Sequence, residues 1–340
     1  MNVTIGVPER LDLSGSLQFA RQLLALSEAD CYTFDFEHMS WTEPFGMLYA
    51  SEAIKHLMKR FPGAKFLVKN YESHGYPGHM GFFQAFGLDF GKKPGAATGG
   101  DNYLPLTELS IAAMYREARE RDVAVGEIVD EHAARLAAVL TRHAAGALFE
   151  TVQYALREIM RNTAEHARAP TLSYCAQYWP QKDRVQIGII DAGVGIRETL
   201  SKNPFLHIES ECDALKLAVM PGVSGKMYQG VEVKPYDVWQ NSGYGLYMIS
   251  RICRNAGSFL ISSKEGTLGI LKDKHESQAM NLLPGTGIRL LLNPSKFMAL
   301  KPQLQIFAKE GQEVAAQVKG AQTIKASAAS MMLHNQEVTA

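Results

Sequence analysis

"LREIMRNTAEHA", residues 156–167, sets Glu158, Asn162 and His166 four residues apart in a segment whose other positions suit a packed helix. A step of four is about one helical turn, so the three polar groups stack on one face. Leu156, Ile159, Met160 and Ala164 fill the other directions. A seam of this kind is either a solvated face or a row of ligands, and the rest of the chain has to decide between them.

With 340 residues, the chain is long enough for two domains, each with its own core. Its 35 lysines and arginines balance 35 aspartates and glutamates. It therefore carries no overall basic field of the kind that draws proteins to nucleic acid or anionic lipid, and neither partner is expected. Cys31, Cys175, Cys212 and Cys253 are scattered without a CxxC pair. That spacing argues against a zinc ribbon or a disulfide framework and fits a reducing compartment. The N-terminus lacks a basic region followed by an apolar core, and no run of 18 apolar residues occurs. A soluble, cytoplasmic protein without a membrane partner is the expectation.

Along the chain, "VTIGV", "CYTFDF" and "KFLVKN" are β-rich runs separated by the helical patterns "LQFARQLLALSEA" and "FGMLYASEAIKHLMKRF", an alternating α/β unit. The glycine-rich "GKKPGAATGGDN" then marks a boundary. We place it so that residues 1–97 form the first domain, 98–297 the second and 298–340 a tail of weak helical character whose end is disordered. "LTELSIAAMYREARE", "VGEIVDEHAARLAAVLTRHA" and the segment quoted above read as three helical stretches. "TLSYCAQYWP" and "RVQIGIIDAG" read as strands of a hairpin turned by "PQKD". The alternation Val185, Gln186, Ile187, Gly188 implies that one face of that sheet meets the helices. Residues 197–240 hold three prolines and no clean period, and a loop of that length is usually functional. "YGLYMISRICRNAG" reads as a helix, and "SFLISSKEG" and "TGIRLLLN" as two further strands.

"IIDAGVGI", residues 189–196, places Asp191 at a strand end before Gly193 and Gly195. These glycines permit close backbone approach, and an ionised carboxylate there can accept a hydrogen bond from a purine amino group. "NSGYGLYMI", residues 241–249, offers Gly243 and Gly245 before a helix, where backbone N–H groups suit phosphate. Each stretch could equally be an ordinary turn. Neither is a GxxxxGK[ST] phosphate loop or a GxGxxG dinucleotide fingerprint.

In this order, however, the stretches resemble the ATP-binding domain of the gyrase, heat-shock chaperone, histidine kinase and MutL (GHKL) superfamily over about residues 127–292. "EIMRN" is similar to its N box, "DAGVGI" and "SGYGL" to its two glycine boxes, and "GTGIRLLL" to its terminal Gly-Thr strand. The resemblance implies an α/β sandwich with helices on one face of a mixed sheet, binding ATP and Mg²⁺. It assigns Asn162 to the metal, Glu158 to activation of a water, and Asp191 to the adenine amino group. Gly193, Gly195, Gly243, Gly245 and Leu246 would line the nucleotide, with Thr286 supporting the adenine site. His166 matches a position that is often histidine in the anti-sigma kinase branch, where phosphate contact and a structural hydrogen bond are both open. Lys226, in the long loop that would form the ATP lid, is either a phosphate ligand or a solvated lysine.

The metal assignment is also chemically reasonable, because Mg²⁺ takes hard oxygen ligands and one asparagine oxygen plus phosphates suffices. Residues 1–90 resemble a STAS-type domain, the fold of anti-sigma factor antagonists, through "CYTFDFEHMSWTEPFGMLYASEAI" and "FFQAFGL". They depart from it where the family has a phosphorylatable serine turn: Glu43, Pro44, Phe45 and Gly46 stand there. The expected function is a nucleotide-controlled switch in which Mg²⁺-dependent ATP binding and hydrolysis are coupled to a module for a protein partner or self-association. An anti-sigma-type kinase acting on a separate partner and a non-hydrolysing ATP sensor are the alternatives.

Overall fold

The computed structural model describes residues 1–98, 100, 102–231, 242–322, 324–327 and 329–331. The expected disorder at the end of the tail and part of the expected lid, including Pro235, lie outside the described residues.

The first ninety residues alternate as expected. Strands β1 (Asn2–Gly6), β3 (Cys31–Asp35) and β5 (Lys65–Lys69) form a parallel sheet in the order β1-β3-β5, and the short strands β2 (Arg10–Leu11) and β4 (Trp41–Thr42) pair separately. Helix α1 (Leu13–Leu24) is capped by Asp12, whose carboxylate accepts from the Gly15 N–H at 3.1 Å. Helix α2 (Pro44–Arg60) starts with proline at a first-turn position, where its missing N–H costs nothing. It buries Phe45, Met47, Leu48, Tyr49, Ala50, Ala53, Ile54 and Leu57, more of its circumference than one partner could cover. The reason is that it has two partners: α1 on one side and the second sheet on the other. Two short helices, α3 (Gly75–His79) and α4 (Phe82–Ala85), follow.

The second sheet has seven strands in the order β11-β10-β9-β12-β8-β7-β6. They are β6 (Tyr103–Ser110), β7 (Thr171–Trp179), β8 (Arg184–Asp191), β9 (Gly257–Ser263), β10 (Gly266–Ile270), β11 (His275–Ala279) and β12 (Thr286–Leu292). Between them run α5 (Ile111–Arg121), α6 (Val125–Thr141), α7 (Ala147–Asn162) with a π-helical turn at Thr163–Ala167, α8 (Ile196–Leu200), α9 (Glu211–Ala218) and α10 (Gly245–Ala256). Helix α11 (Leu300–Ala315) gives the tail a stronger helix than its sequence suggested.

The α/β class holds, but the expected mixed sheet does not. Every ladder of the seven-stranded sheet is antiparallel. Strands β8 and β9 run parallel to each other, as a helical crossover requires, but β12 inserts between them and pairs antiparallel with both. Nor do helices lie on one face alone. Val185, Ile187 and Ile189 face the core under α6, α7 and α10, whereas Cys175 and Ile190 join the core beneath α2. The segment "LTELS" is also corrected from helix to strand. Leu104 and Leu106 are buried at the strand period, and Ser110 ends the strand by capping α5, accepting from the Ala113 N–H at 3.2 Å.

Glu43 to Gly46 seat α2 on the sheet. A Cβ on Gly188 would lie 2.8 Å from the Phe45 Cα, so glycine permits the close approach. The Phe45 N–H donates to Gln186 Oε1 at 3.1 Å. The buried Glu43 carboxylate accepts from Gln186 Nε2 at 2.7 Å, from Arg184 at 2.9 Å and from Arg289 at 3.3 Å. The connection between the two parts is tied to both. Lys92 N–H donates to Gly78 O, Gly95 N–H to Leu106 O, and Leu106 N–H to Met80 O, all within 2.8–2.9 Å. All four cysteines are free thiols. No described helix is long and apolar enough to cross a membrane.

Candidate functional site

On the helix side of the seven-stranded sheet, a cleft of about 730 Å³ opens between the end of α7, the ends of β8 and β12, α8 and the start of α10. It is lined by Asn162, Thr163, Asp191, Gly195, Gly243, Gly245, Leu246 and Thr286, among others. Stretches separated by more than 120 residues thus converge on one volume.

Asp191 lies at its floor. Strand alternation turns it toward the cleft, on the same side as Val185, Ile187 and Ile189, and it pairs in register with Thr286 of the neighbouring strand. One carboxylate oxygen accepts from the Gly193 N–H at 2.9 Å, and Thr286 and the Thr163 hydroxyl add hydrogen bonds. Burial nevertheless pushes its pKa up to about 6, because these bonds offset only part of the cost of placing a charge there. Thr163 is a site residue that sequence reasoning missed. Its hydroxyl lies within reach of two acceptors, the Asp191 carboxylate and Ile159 O at 3.2 Å, and its place just after Asn162 was the available signal.

The glycines have steric roles that can be checked one by one. A Cβ on Gly193 would come within 2.2 Å of Ala167 O, and the next residue, Val194, donates its N–H to that same carbonyl. The turn after β8 is therefore pressed against the π-helical turn. Gly195 and Gly243 have φ of +85° and +72°, in the left-handed region that favours glycine. Gly243 packs on Val223 O, which draws the residues before α10 against the loop across the cleft.

Glu158 takes a different position from the one expected of a water-activating base. It is 3% exposed, it is not among the cleft-lining residues, and Arg157 Nη2 donates to its Oε1 at 2.8 Å. The Arg157 guanidinium also lies 3.6 Å from Asp130 and over the Tyr154 ring. Glu158 stands directly behind Gly245, where a Cβ would meet its Oε2 at 2.3 Å. Lys226 donates to Glu165 O at 2.6 Å, clasping the loop onto the π-helical turn. The side chain of His166 lies outside what the structure describes. Among the described residues no three or more His, Cys, Asp or Glu side chains gather as a metal cage.

The tail packs against α7 and the residues just before α10. Tyr154 donates to Ser330 O at 3.1 Å, Tyr244 to Ile324 O at 3.2 Å, and the Ser327 N–H to Ser242 Oγ at 3.1 Å. Nothing in the tail sequence signalled this packing. No protein-family model matches the chain, and a search of curated proteins found no match.

Proposed function

We propose that the cleft binds an adenine nucleotide with Mg²⁺, in the manner of the GHKL superfamily that the sequence resembles. The observation that carries the reading is Asp191. It is a buried carboxylate at the floor of a cleft, oriented by Gly193, Thr163 and Thr286. A charge kept in so dry a place is compensated when a ligand brings a hydrogen-bond donor, and the adenine amino group is one. Asn162 would offer its amide oxygen to Mg²⁺ bound to the phosphates, and the ion would neutralise phosphate charge when bound. The start of α10, with Gly243 and Gly245 on the cleft wall, would supply backbone N–H groups to the phosphates.

Binding is favoured over turnover by a specific observation. The carboxylate proposed to activate water is buried behind Gly245 and neutralised by Arg157. A general base must reach the proton it removes, directly or through one water. We therefore read the protein as a nucleotide-responsive binding protein, with hydrolysis or phosphotransfer to a partner as the second reading. A cytoplasmic location and a protein partner belong to the same proposal. Calorimetry with ATP and GTP, alongside γ-labelled ATP followed as free phosphate and as labelled protein, tests both parts. The reading expects saturable binding that prefers ATP by about ten-fold or more, since a carboxylate facing the guanine carbonyl loses a hydrogen bond. It also expects no accumulation of phosphate. Equal affinity for the two nucleotides would remove the adenine assignment, and steady phosphate release would restore catalysis.

A further inference from the structure

On the opposite face of the same sheet, α1 and the strands β9 to β12 enclose a second open cleft, of about 1250 Å³. Its walls include Asp12, Leu17 and Arg21 of the α1 side and Leu260, Gln278 and Arg289 of the sheet. The charges around it are not evenly paired. Glu43 serves two guanidiniums at once, Arg184 at 2.9 Å and Arg289 at 3.3 Å, and its Oε2 is also taken by Gln186. The other acids of the wall have cations of their own: Asp12 is paired with Arg10, and Glu276 with Lys274. Arg21, exposed on α1, forms no ion pair among the described residues. The lining itself holds three carboxylates and two guanidiniums, but Asp12 and Glu276 are engaged by Arg10 and Lys274 from outside it and Glu43 is shared with Arg184, so neither Arg289 nor Arg21 has a carboxylate of its own.

Arg289 is the more telling of the two. It is 8% exposed, its Nε is buried without a hydrogen-bond partner, and its single carboxylate contact is long for a charged pair. Burial holds its pKa below the ordinary guanidinium value, and the nearby Arg184 adds to that effect, while Glu43 opposes it. A guanidinium offers five donors and keeps its charge, so a buried one with so few acceptors is an incomplete site.

We propose that this outer cleft binds a small dianion, a carboxylate or phosphate compound, between Arg289 and Arg21. Leu17 and Leu260 would cover its apolar body, and Gln278 would meet any further polar group. The site is separate from the nucleotide cleft and does not depend on its assignment. Strand β12 nonetheless joins them, because Thr286 and Ile288 line one cleft and Arg289 lines the other.

The test is calorimetric titration of the full chain at constant ionic strength with succinate and, separately, with inorganic phosphate, each with and without saturating ATP. The proposal expects saturable binding of at least one probe that persists with ATP present. It expects Arg21→Gln to weaken that binding about five-fold or more, as loss of a charged hydrogen bond does. Arg289→Gln should abolish it. Binding of succinate alone would assign a carboxylate ligand, and binding of phosphate alone a phosphoryl one. Absence of saturable binding by either probe, unchanged affinity in both variants, or displacement of the probe by ATP would overturn the proposal. Because Arg21 is exposed, its variant keeps the test decisive even if Arg289→Gln fails to fold.

Discussion

Asp191→Asn should separate the cost of the cleft from its use. The folded carboxyl titrates at about 6, against 3.8 for its ordinary value. At about 1.4 kcal/mol per pH unit, ionising it inside the fold costs roughly 3 kcal/mol. The sign follows from proton linkage. Between pH 4 and 6 the unfolded chain has released this proton and the folded chain still holds it, so stability falls as pH rises through that window and stays lowered above it. Asparagine never ionises and removes this loss, although its NH₂ group turns a donor toward one of the donors that Asp191 accepts from. That penalty does not change with pH. The stability of the variant relative to the parent should therefore become more favourable by about 3 kcal/mol between pH 4 and pH 8. Urea denaturation of both proteins across that range, followed by tryptophan fluorescence, measures the difference directly. A difference constant to within about 1 kcal/mol would show that Asp191 does not pay a buried-charge penalty, and the argument for a donor-bearing ligand would fall with it. In the parent, ATP bound at pH 6 should also release protons, seen as a binding heat that varies with the ionisation enthalpy of the buffer.

Glu158→Ala should destabilise the fold by roughly 3 kcal/mol, because it leaves the Arg157 guanidinium buried with its main carboxylate gone; an unchanged urea midpoint would refute the structural role. Asn162→Ala should weaken Mg²⁺-ATP binding about ten-fold while barely changing affinity for metal-free ATP, as calorimetry with and without EDTA would show. Equal loss in both conditions would place Asn162 on the nucleotide rather than the ion. Removing residues 1–96 should abolish cooperative unfolding, since it strips α2 from Cys175 and Ile190 and deprives Arg184 and Arg289 of Glu43. A truncated chain with a sharp thermal transition would show that the outer face tolerates exposure.

What could be read from the sequence depended on whether an interaction was local. The apolar periods of α1, α2 and β8 were legible because each states within ten or so residues which side is buried. Asp191 and the glycines after it were legible for a similar reason: a charge at the end of an apolar strand, followed by residues that admit close approach, has few structural uses. Strand β6 was misread because Leu106 and Leu109 also fit a helical step and run into a true helix at Ile111. Strands β10 and β11 were missed because one is glycine-rich and the other, at the sheet edge, is exposed along its whole length.

The fate of Glu158 was hidden for a geometric reason. Adjacent residues on a helix do not ordinarily face each other, so Arg157 gave no warning as its partner. The Glu43 hub was beyond reach because its partners lie 141 to 246 residues away. Yet the hub explains the composition of β8 and β12. Arg184, Gln186 and Gly188 alternate with Val185, Ile187 and Ile189, and Arg289 alternates with Ile288 and Leu290. In an exposed sheet such polar positions would simply meet water. Here they are covered by α2, so each needs a partner, and Glu43 cannot serve them all. Arg289 of β12 thus stands on one face of the sheet with an acceptor it must share, and Asp191 of the neighbouring β8 stands on the other as a buried charge whose hydrogen bonds from Gly193, Thr163 and Thr286 offset only part of its burial. The two adjacent strands place these charges on opposite faces, each at a cleft where a ligand can reach it.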